Sequence, residues 1–339
     1  MRRLAYVAAV ALLAAGCGGS KATTGGTPVT LRLGYYPNLT HAPAILGVSD
    51  GSFAKALGSN ARLETKTFNA GPAAVEALFA GAVDATYVGP NPAINAFQKS
   101  NGAGVRIIAG ATAGGAALVV KPAITSAADL RGKKVATPQR GNTQDVALRS
   151  WLKSNGLTTT LEGGGDVSIV PQENAQSLET FKSGAIDGAW VPEPWATRLV
   201  LEGGGKILVD EASLWPGGKY VTTLLLVRTE FLEDHADVVK KLLAAHVQEV
   251  VKATDDPSGS QTFVNAAIEK ITNKGLSEAV LRDAWRRLTF TYDPLVSTLE
   301  RSAQSAKELG LLTSGNVKGI ADLTLLNEVL RAAGKPPVS

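Results

Sequence analysis

The sequence predicts an α/β fold of two similar lobes, each a mostly parallel sheet flanked by helices, with a hinged cleft between them. The first observation is an internal repeat, in which residues 76–88 align without a gap with residues 179–191. In each copy, helical spacing of apolar residues ends at a glycine and is followed by a strand and a proline-containing loop. Strands that alternate with helices in this way indicate parallel pairing in a sheet covered on both faces.

The repeat extends outward, since residues 31–37 correspond to 133–139 and residues 65–71 to 168–174. Each copy then reads as three successive strand-loop-helix units. The strands that follow the first copy and the second copy carry the chain between the lobes, and such crossings form a hinge. The predicted boundaries are 1–16 for a signal peptide, 17–28 for a lipidated tether, 29–116 for the first part of lobe 1, 117–210 for lobe 2, and 211–339 for the return to lobe 1 with the C-terminal helices.

The N-terminus is predicted to be a targeting segment. Arg2 and Arg3 precede an apolar run, residues 4–15, that is too short to span a bilayer. Residues 13–17 resemble the bacterial lipoprotein signal, in which the cysteine, here Cys17, becomes the lipid-bearing first residue. Ala14 departs from the leucine that is usual three residues before that cysteine. The Gly-, Ser- and Thr-rich residues 18–27 suit a flexible tether.

Composition excludes several classes of function. The 339 residues carry a net charge of +4, and removal of Arg2 and Arg3 leaves +2, which is too small to indicate a nucleic-acid partner. Cys17 is the single cysteine, so a disulfide, a cysteine zinc site and a cysteine nucleophile in the folded part are excluded. Three histidines make a His-rich metal site improbable, and neither a metal nor a cofactor is predicted.

The loops that follow strands of a parallel sheet form its ligand-binding edge. In lobe 1 the candidate ligand-binding residues are Tyr35, Asn38 and His41 after the first strand, Asn69 after the second, and Gly89 and Asn91 after the third. His41 lies in a strand-to-helix loop, and hydrogen bonding within that loop is its alternative role.

In lobe 2 the corresponding first turn, residues 133–148, reads as strand, polar loop and helix. The candidates there are Gly141, Asn142, Thr143 and Gln144. Asn142 and Thr143 are good N-cap residues, and the free N–H groups of a helix start favour an anion without any charged side chain. An ordinary capped turn is the alternative.

Residues 190–195, Trp-Val-Pro-Glu-Pro-Trp, supply the last two candidates, Trp190 and Glu193. A rigid loop that offers one carboxylate beside indole rings suits a ligand with an ammonium group, through ion pairing and cation–π attraction. A structural loop whose acid begins the next helix is the alternative. A catalytic role for the paired Asp84 and Asp187 is disfavoured, because both occupy matched positions after a glycine cap, where they stabilise turns.

Residues 34–42, 87–95, 137–145 and 190–195, with the lipoprotein signal and the repeated lobes, resemble the substrate-binding proteins of nitrate/sulfonate/taurine ABC importers. The similarity covers about residues 29–333. It implies a type II periplasmic-binding fold, a hinged cleft, and delivery of the ligand to a membrane permease that a separate ATPase powers.

The resulting prediction is an exported, monomeric lipoprotein on the outer face of the cytoplasmic membrane that binds an aliphatic sulfonate or a taurine-like anion and is not an enzyme. Relatives of similar fold bind nitrate, bicarbonate, riboflavin or pyrimidine precursors of thiamine, and these ligands remain alternatives. A thiamine-pyrimidine-synthase-like enzyme is the alternative from another class. The lack of cysteine in the folded part counts against it.

Overall fold

The computed structural model describes residues 28–339, and Cys17 with the predicted signal lies outside them. The protein has two mixed sheets, one in each lobe. The sheet of lobe 1 contains β1 (Val29–Tyr35), β2 (Ala61–Thr67), β3 (Ala85–Val88), β4 (Val105–Gly114), β10 (Val221–Arg228) and β11 (Leu288–Phe290). The sheet of lobe 2 contains β5 (Ala116–Val120), β6 (Lys134–Thr137), β7 (Ser168–Pro171), β8 (Gly188–Pro192) and β9 (Lys206–Asp210).

The helices cover both faces of the sheets. Lobe 1 has α1 (Ala42–Ser49), α2 (Ser52–Leu57), α3 (Gly71–Phe79) and α4 (Pro90–Lys99), and lobe 2 has α5 (Thr143–Ser154), α6 (Asn174–Lys182) and α7 (Trp195–Leu201). The C-terminal helices are α8 (Thr229–Asp234), α9 (Ala236–Asp255), α10 (Pro257–Thr272), α11 (Glu278–Trp285), α12 (Val296–Glu308) and α13 (Thr324–Ala332). In residues 28–339, none of these helices combines the length and the apolar character needed to cross a membrane.

The internal repeat is visible in the strand order. Lobe 1 has the order β2-β1-β3-β10-β4-β11 and lobe 2 the order β7-β6-β8-β5-β9. In both, the first strand of the repeat pairs in parallel with the second and the third. The strands that carry the chain between the lobes then add antiparallel pairs, which is why each sheet is mixed. The predicted two-lobed α/β fold is thereby confirmed.

Asp84 and Asp187 occupy equivalent places in the two lobes. The Asp84 carboxylate accepts from the N–H of Arg32 in β1 at 2.9 Å, and the Asp187 carboxylate accepts from the N–H of Lys134 in β6 at 2.9 Å. The Asp84 and Asp187 N–H groups in turn donate to the carbonyls of the same two residues, both at 2.8 Å. Each aspartate therefore anchors the third strand of its repeat to the first.

The core lies on both faces of each sheet. On one face of the lobe 1 sheet, α1 and α2 pack with α9 and α10, and Leu242 and Leu243 of α9 are fully buried there. On the opposite face, α3 and α4 pack with α12 through residues such as Leu299. The C-terminal helices therefore enlarge lobe 1, while lobe 2 has two smaller apolar clusters of its own.

The chain crosses between the lobes from β4 to β5 and from β9 to β10. Gly114 and Gly115 join the first pair with φ of +75° and +73°, a left-handed backbone that favours glycine. Tyr220 connects the two crossings, because its carbonyl accepts from the Gly114 N–H at 3.1 Å and its hydroxyl accepts from the Ala116 N–H at 3.1 Å. The hinge is therefore a small, hydrogen-bonded unit.

Candidate functional site

A narrow cavity of about 30 Å³ lies between the lobes, at the ends of the repeat strands. From lobe 1 it is lined by Tyr36, Asn38, Thr40, His41, Asn69, Ala70, Gly71, Gly89, Pro92, Thr222 and Thr223, and from lobe 2 by Pro138, Asn142, Thr143, Gln144, Asn174 and Pro192. We call this cavity the cleft. Both repeats therefore contribute the loops that follow their strands, as expected for this architecture.

Four α-helices begin at the cleft. Gly71 and Pro90 start α3 and α4 in lobe 1, and Thr143 and Asn174 start α5 and α6 in lobe 2. The first residues of a helix have N–H groups without intrahelical partners, except at Pro72 of α3 and Pro90 and Pro92 of α4, and the helix dipole places positive potential at that end. The cleft therefore lies where four positive helix ends converge, which favours an anion.

The start of α5 has the capped geometry that the sequence predicts. The Asn142 side-chain oxygen accepts from the Asp145 N–H at 2.9 Å, and its amide nitrogen donates to the Gln144 side chain at 3.2 Å. The N–H groups of Thr143 and Gln144, the first two helical residues, have no partner within the helix. Gly141 donates its N–H to Asp145 at 2.9 Å and so supports the turn.

Several buried polar atoms of the cleft have no hydrogen-bond partner within the part of the chain that the structure describes. They are the hydroxyls of Tyr36, Thr143 and Thr223 and the side-chain oxygen of Asn174. A buried polar group without a partner is destabilising by about 1–3 kcal/mol, so each such group calls for an explanation. Their convergence on one cavity indicates a polar ligand that satisfies them.

No residue that lines the cleft, within the described chain, has a formally charged side chain at neutral pH. The one titratable group in that pH range is His41, and burial lowers the pKa of its imidazole to about 3. His41 Nδ1 accepts from the Tyr36 N–H at 3.4 Å, which leaves the proton on Nε2. His41 is therefore a neutral donor, and an anion in the cleft would be held by dipoles and hydroxyls.

Asn38 and Asn69 connect the lobes at the edge of the cleft. The Trp195 indole N–H donates to the Asn38 side chain at 2.9 Å, and the Asn69 amide donates to the Glu173 carboxylate at 2.7 Å. A larger cavity of about 260 Å³ lies beside these contacts and opens toward solvent. The lobes are therefore closed on each other through the loops predicted to bind ligand.

Other sequence candidates lie away from the cleft. Tyr35 is in the lobe 1 core, and its neighbour Tyr36 faces the cavity instead. Asn91 donates to the Ser302 carbonyl at 3.2 Å. Trp190 is fully buried in lobe 2 and donates to Glu211 at 2.7 Å. Gly141, half-buried in the turn, contributes its conformation, with φ of +75°.

Glu193 is engaged by protein groups on both oxygens. It accepts from the N–H and the hydroxyl of Thr197, each at 3.0 Å, and its Oε1 lies 2.9 Å from Arg287 Nε in an ion pair. Burial raises the pKa of the Glu193 carboxyl, while Thr197 and Arg287 act in the opposite direction. These contacts fit the structural alternative, in which the acid begins α7 and fixes the loop.

Three residues of the cleft are not among the ligand-binding residues predicted from the sequence: Tyr36, Asn174 and Thr223. A signal existed for Asn174, because the repeat aligns it with Gly71 at a helix start. Tyr36 directly follows Tyr35, the last residue of β1. Side chains alternate along a strand, so Tyr36 faces the opposite side from Tyr35. Thr222 and Thr223 lie in β10, within an apolar run that reads as core.

Two α/β lobes joined by two chain crossings and closed over helix starts form the fold of the solved periplasmic binding proteins. Comparison with family models matches residues 25–267 to the NMT1-like family, and the chain belongs to that family.

The taurine-binding periplasmic protein of Escherichia coli K12 is 32% identical over 199 residues, 58% of this chain and 59% of that protein. The putative aliphatic sulfonates-binding protein of Bacillus subtilis 168 is 27% identical over 254 residues, 73% of each chain. Among solved structures, the periplasmic nitrate-binding protein NrtA of Synechocystis PCC 6803 superimposes with a TM-score of 0.78 at 18% identity, covering 91% of this chain and 90% of that one. The match thus spans little more than half of the taurine-binding relative.

Proposed function

We propose that this protein is an extracytoplasmic solute-binding lipoprotein that captures a small organic sulfonate and delivers it to an ABC importer. The observation that carries the proposal is the cleft itself, where four helix starts and unpaired hydroxyls converge and where none of the lining residues within 28–339 has a charged side chain. A sulfonate is an anion with three acceptor oxygens and no proton at neutral pH, which suits a wall of neutral donors. The names of the E. coli and B. subtilis relatives support the same ligand class.

The groups proposed to contact the sulfonate come from both lobes. They are the backbone N–H groups of Thr143 and Gln144 and the side chains of Tyr36, His41, Asn142, Thr143, Asn174 and Thr223. Asn38, Asn69 and Gly89 are proposed to act at the lobe contact that encloses the ligand. Closure over the ligand would then present the outer faces of both lobes to a permease, which an ATPase drives.

The proposed role is binding rather than catalysis. His41 is the imidazole of the cleft, and its Nδ1 accepts a backbone hydrogen bond, so it is not placed as a base for a neighbouring hydroxyl. The relatives named above are binding proteins. Incubation with candidate sulfonates should return them unchanged, and release of sulfite or another product would indicate an enzyme.

Calorimetric titration of the purified protein tests the ligand class. Ethanesulfonate or taurine should bind in the micromolar range or tighter, with one site per monomer. Nitrate, bicarbonate, riboflavin and a thiamine pyrimidine are the competitors in the same panel. Binding of one of these with no sulfonate binding would overturn the proposal.

A further inference from the structure

A buried ion pair lies in the first two turns of α5, outside the lining of the cleft. Asp145 is fully buried and Arg149 is 2% exposed, and Arg149 Nε donates to Asp145 Oδ2 at 3.0 Å. Asp145 directly follows Gln144, whose backbone N–H is among the groups proposed to contact the sulfonate. The Cα atoms of consecutive residues are about 3.8 Å apart. A carboxylate is therefore buried close to the place proposed for an anion.

The Asp145 carboxylate holds the turn before α5. Its Oδ2 accepts from the Gly141 N–H at 2.9 Å, and its Oδ1 accepts from the Thr137 hydroxyl at 3.0 Å. These two bonds join the end of β6 and the turn to the first turn of the helix. The same carboxylate would repel an anion at the helix start if its charge were not compensated, because charges buried in protein are poorly screened.

Arg149 supplies the compensating charge. Within residues 28–339, it is the one cation that forms an ion pair with Asp145. Its Nη1 donates to the Thr160 carbonyl, whereas its Nη2 has no hydrogen-bond partner in the described chain. Burial of a guanidinium with one unpaired nitrogen is unfavourable, so the hydrogen bonds of Arg149 do not by themselves account for its position. Neutralisation of Asp145 does account for it.

The shared architecture of the lobes does not require this ion pair. The helix after the first strand of the repeat is α5 in lobe 2 and α1 in lobe 1. The sequence of α1 is Ala-Pro-Ala-Ile-Leu-Gly-Val-Ser, which contains no charged residue. Ile45 and Leu46 of α1 are fully buried in the lobe 1 core. The pair of Asp145 and Arg149 is therefore particular to the lobe 2 helix whose start faces the cleft.

We propose that Arg149 is a positioning residue for the anion, which acts through Asp145 and does not touch the ligand. Arg149 neutralises the carboxylate, so Asp145 fixes the turn before α5 without repelling the anion held at the helix start. The inference rests on the proposed sulfonate-binding function and adds to it a determinant of anion affinity that lies outside the cleft.

Calorimetric titration of ethanesulfonate at pH 8 tests the proposal with variants that remove the two charges separately. Arg149→Met removes the cation and keeps a long side chain, so affinity should fall by about tenfold or more. Asp145→Asn keeps an oxygen that accepts from Gly141, and the Thr137 hydroxyl can accept from the new amide. This variant leaves the positive charge uncompensated and should bind about threefold or more tightly than the wild type.

The variant Asp145→Asn/Arg149→Met separates charge from structure. It restores neutrality, so its affinity should return to within about threefold of the wild type. If Arg149 served only packing or its contact with Thr160, the double variant would bind as weakly as Arg149→Met, and the proposal would be wrong. Arg149→Lys keeps the charge without the planar guanidinium and should also bind within about threefold of the wild type.

Arg32→Met is the matched control for loss of a cation beside a buried aspartate. Arg32 pairs with Asp84 at 2.7 Å, and neither residue lines the cleft. This variant should lower the free energy of unfolding in urea titrations and leave ethanesulfonate affinity unchanged. An equal loss of affinity in Arg32→Met and Arg149→Met would assign the effect to general destabilisation and overturn the proposal.

Two further outcomes keep the inference distinct from the proposed function. If the wild type binds no sulfonate, the proposed function fails. If the wild type binds and Arg149→Met binds equally well, sulfonate binding stands and the role of Arg149 is wrong. Circular dichroism establishes which variants are folded. Should Arg149→Met not fold, the comparison of Asp145→Asn with the double variant decides, because the cation should make the single variant bind more tightly, and equal affinities would overturn the proposal.

Discussion

Gly89 of lobe 1 and Thr143 of lobe 2 approach each other so closely that a Cβ atom on Gly89 would lie 2.4 Å from Thr143 Oγ1. The φ of Gly89 is −71°, which any residue adopts, so glycine is needed here for space rather than for conformation. The start of α4 therefore touches the start of α5 in the closed protein.

We expect Gly89→Ala to hinder closure while leaving the fold of each lobe intact. The added methyl group would hold the lobes apart and weaken sulfonate binding by about tenfold or more. Small-angle scattering with saturating ligand should show a more open particle than the wild type. Gly164→Ala is the matched control, because its nearest neighbour would be 3.5 Å away and it lies outside the cleft. If Gly89→Ala binds the sulfonate as tightly as the wild type does, closure does not need glycine at this contact.

Thr143→Val should separate binding from stability. The Thr143 hydroxyl is buried without a partner, so its replacement by a methyl group should leave the free energy of unfolding unchanged or raise it by up to about 1 kcal/mol. The same change should weaken sulfonates by about fivefold to tenfold. Thr86→Val is the control with the opposite pattern, since the buried Thr86 hydroxyl donates to the Tyr87 carbonyl. Urea unfolding and calorimetry measure both quantities, and loss of stability in Thr143→Val would argue against an unsatisfied hydroxyl.

Glu193→Gln should affect all ligands alike. Glu193 and Arg287 connect lobe 2 to the segment before β11 of lobe 1, so loss of the ion pair should weaken closure for ethanesulfonate and taurine by a similar factor, about twofold to fivefold. Calorimetric titration of both ligands against the variant measures the two factors. If the variant loses affinity for taurine but not for ethanesulfonate, the ammonium group of taurine lies at Glu193.

Glu211 should give stability an unusual pH dependence. Its pKa is about 7 in the folded protein against 4.5 when exposed, so the folded state holds an extra proton between these values. This extra proton stabilises the folded protein by up to about 3 kcal/mol. The stabilisation is fully present below about pH 4.5 and is lost as pH rises through 7. The stability of Glu211→Gln relative to the wild type should therefore increase over that range in urea titrations. A difference that does not vary with pH would mean that Glu211 titrates normally.

His41 and His246 give folding stability a pH dependence opposite to that of Glu211. Burial lowers their pKa values to about 3 and about 4, and His246 is further fixed between the Gly110 carbonyl and the Tyr87 hydroxyl. Their contribution is present above about pH 6.5 and is lost as pH falls, because the unfolded state binds the protons. The two histidines outweigh Glu211, so urea unfolding should show wild-type stability falling from pH 6.5 to 4.5, and falling more steeply in Glu211→Gln. A stability that rises over this range would contradict the burial of the neutral imidazoles.

Cys17→Ser tests the proposed lipid anchor, which lies outside the described residues. If Cys17 carries the lipid, the wild type should partition with membranes, and the variant should be released after export or retain its signal peptide. Fractionation and the intact mass of the mature protein measure this. An exported variant that still partitions with membranes would remove the lipid from the proposal.

Most of the fold could be predicted from the internal repeat, because the strands that pair within each copy are separated by short, regular stretches of sequence. The α5 start could also be predicted, since Asn142 lies next to the N–H groups that it caps. Tyr36 could not be distinguished from Tyr35, because one position along a strand exchanges the core face for the cleft face. The environments of Trp190 and Glu193 depend on Glu211 and Arg287, which are distant in sequence and brought close only by the fold.

The neutral wall of the cleft also determines how ionic strength acts on ligand capture. Helix starts and hydroxyls have short-range fields, so they hold an anion at contact but attract it weakly from a distance. Salt screens long-range attraction between charges, and little such attraction exists at this cleft. If the proposed sulfonate binds here, its association rate should therefore change little with ionic strength.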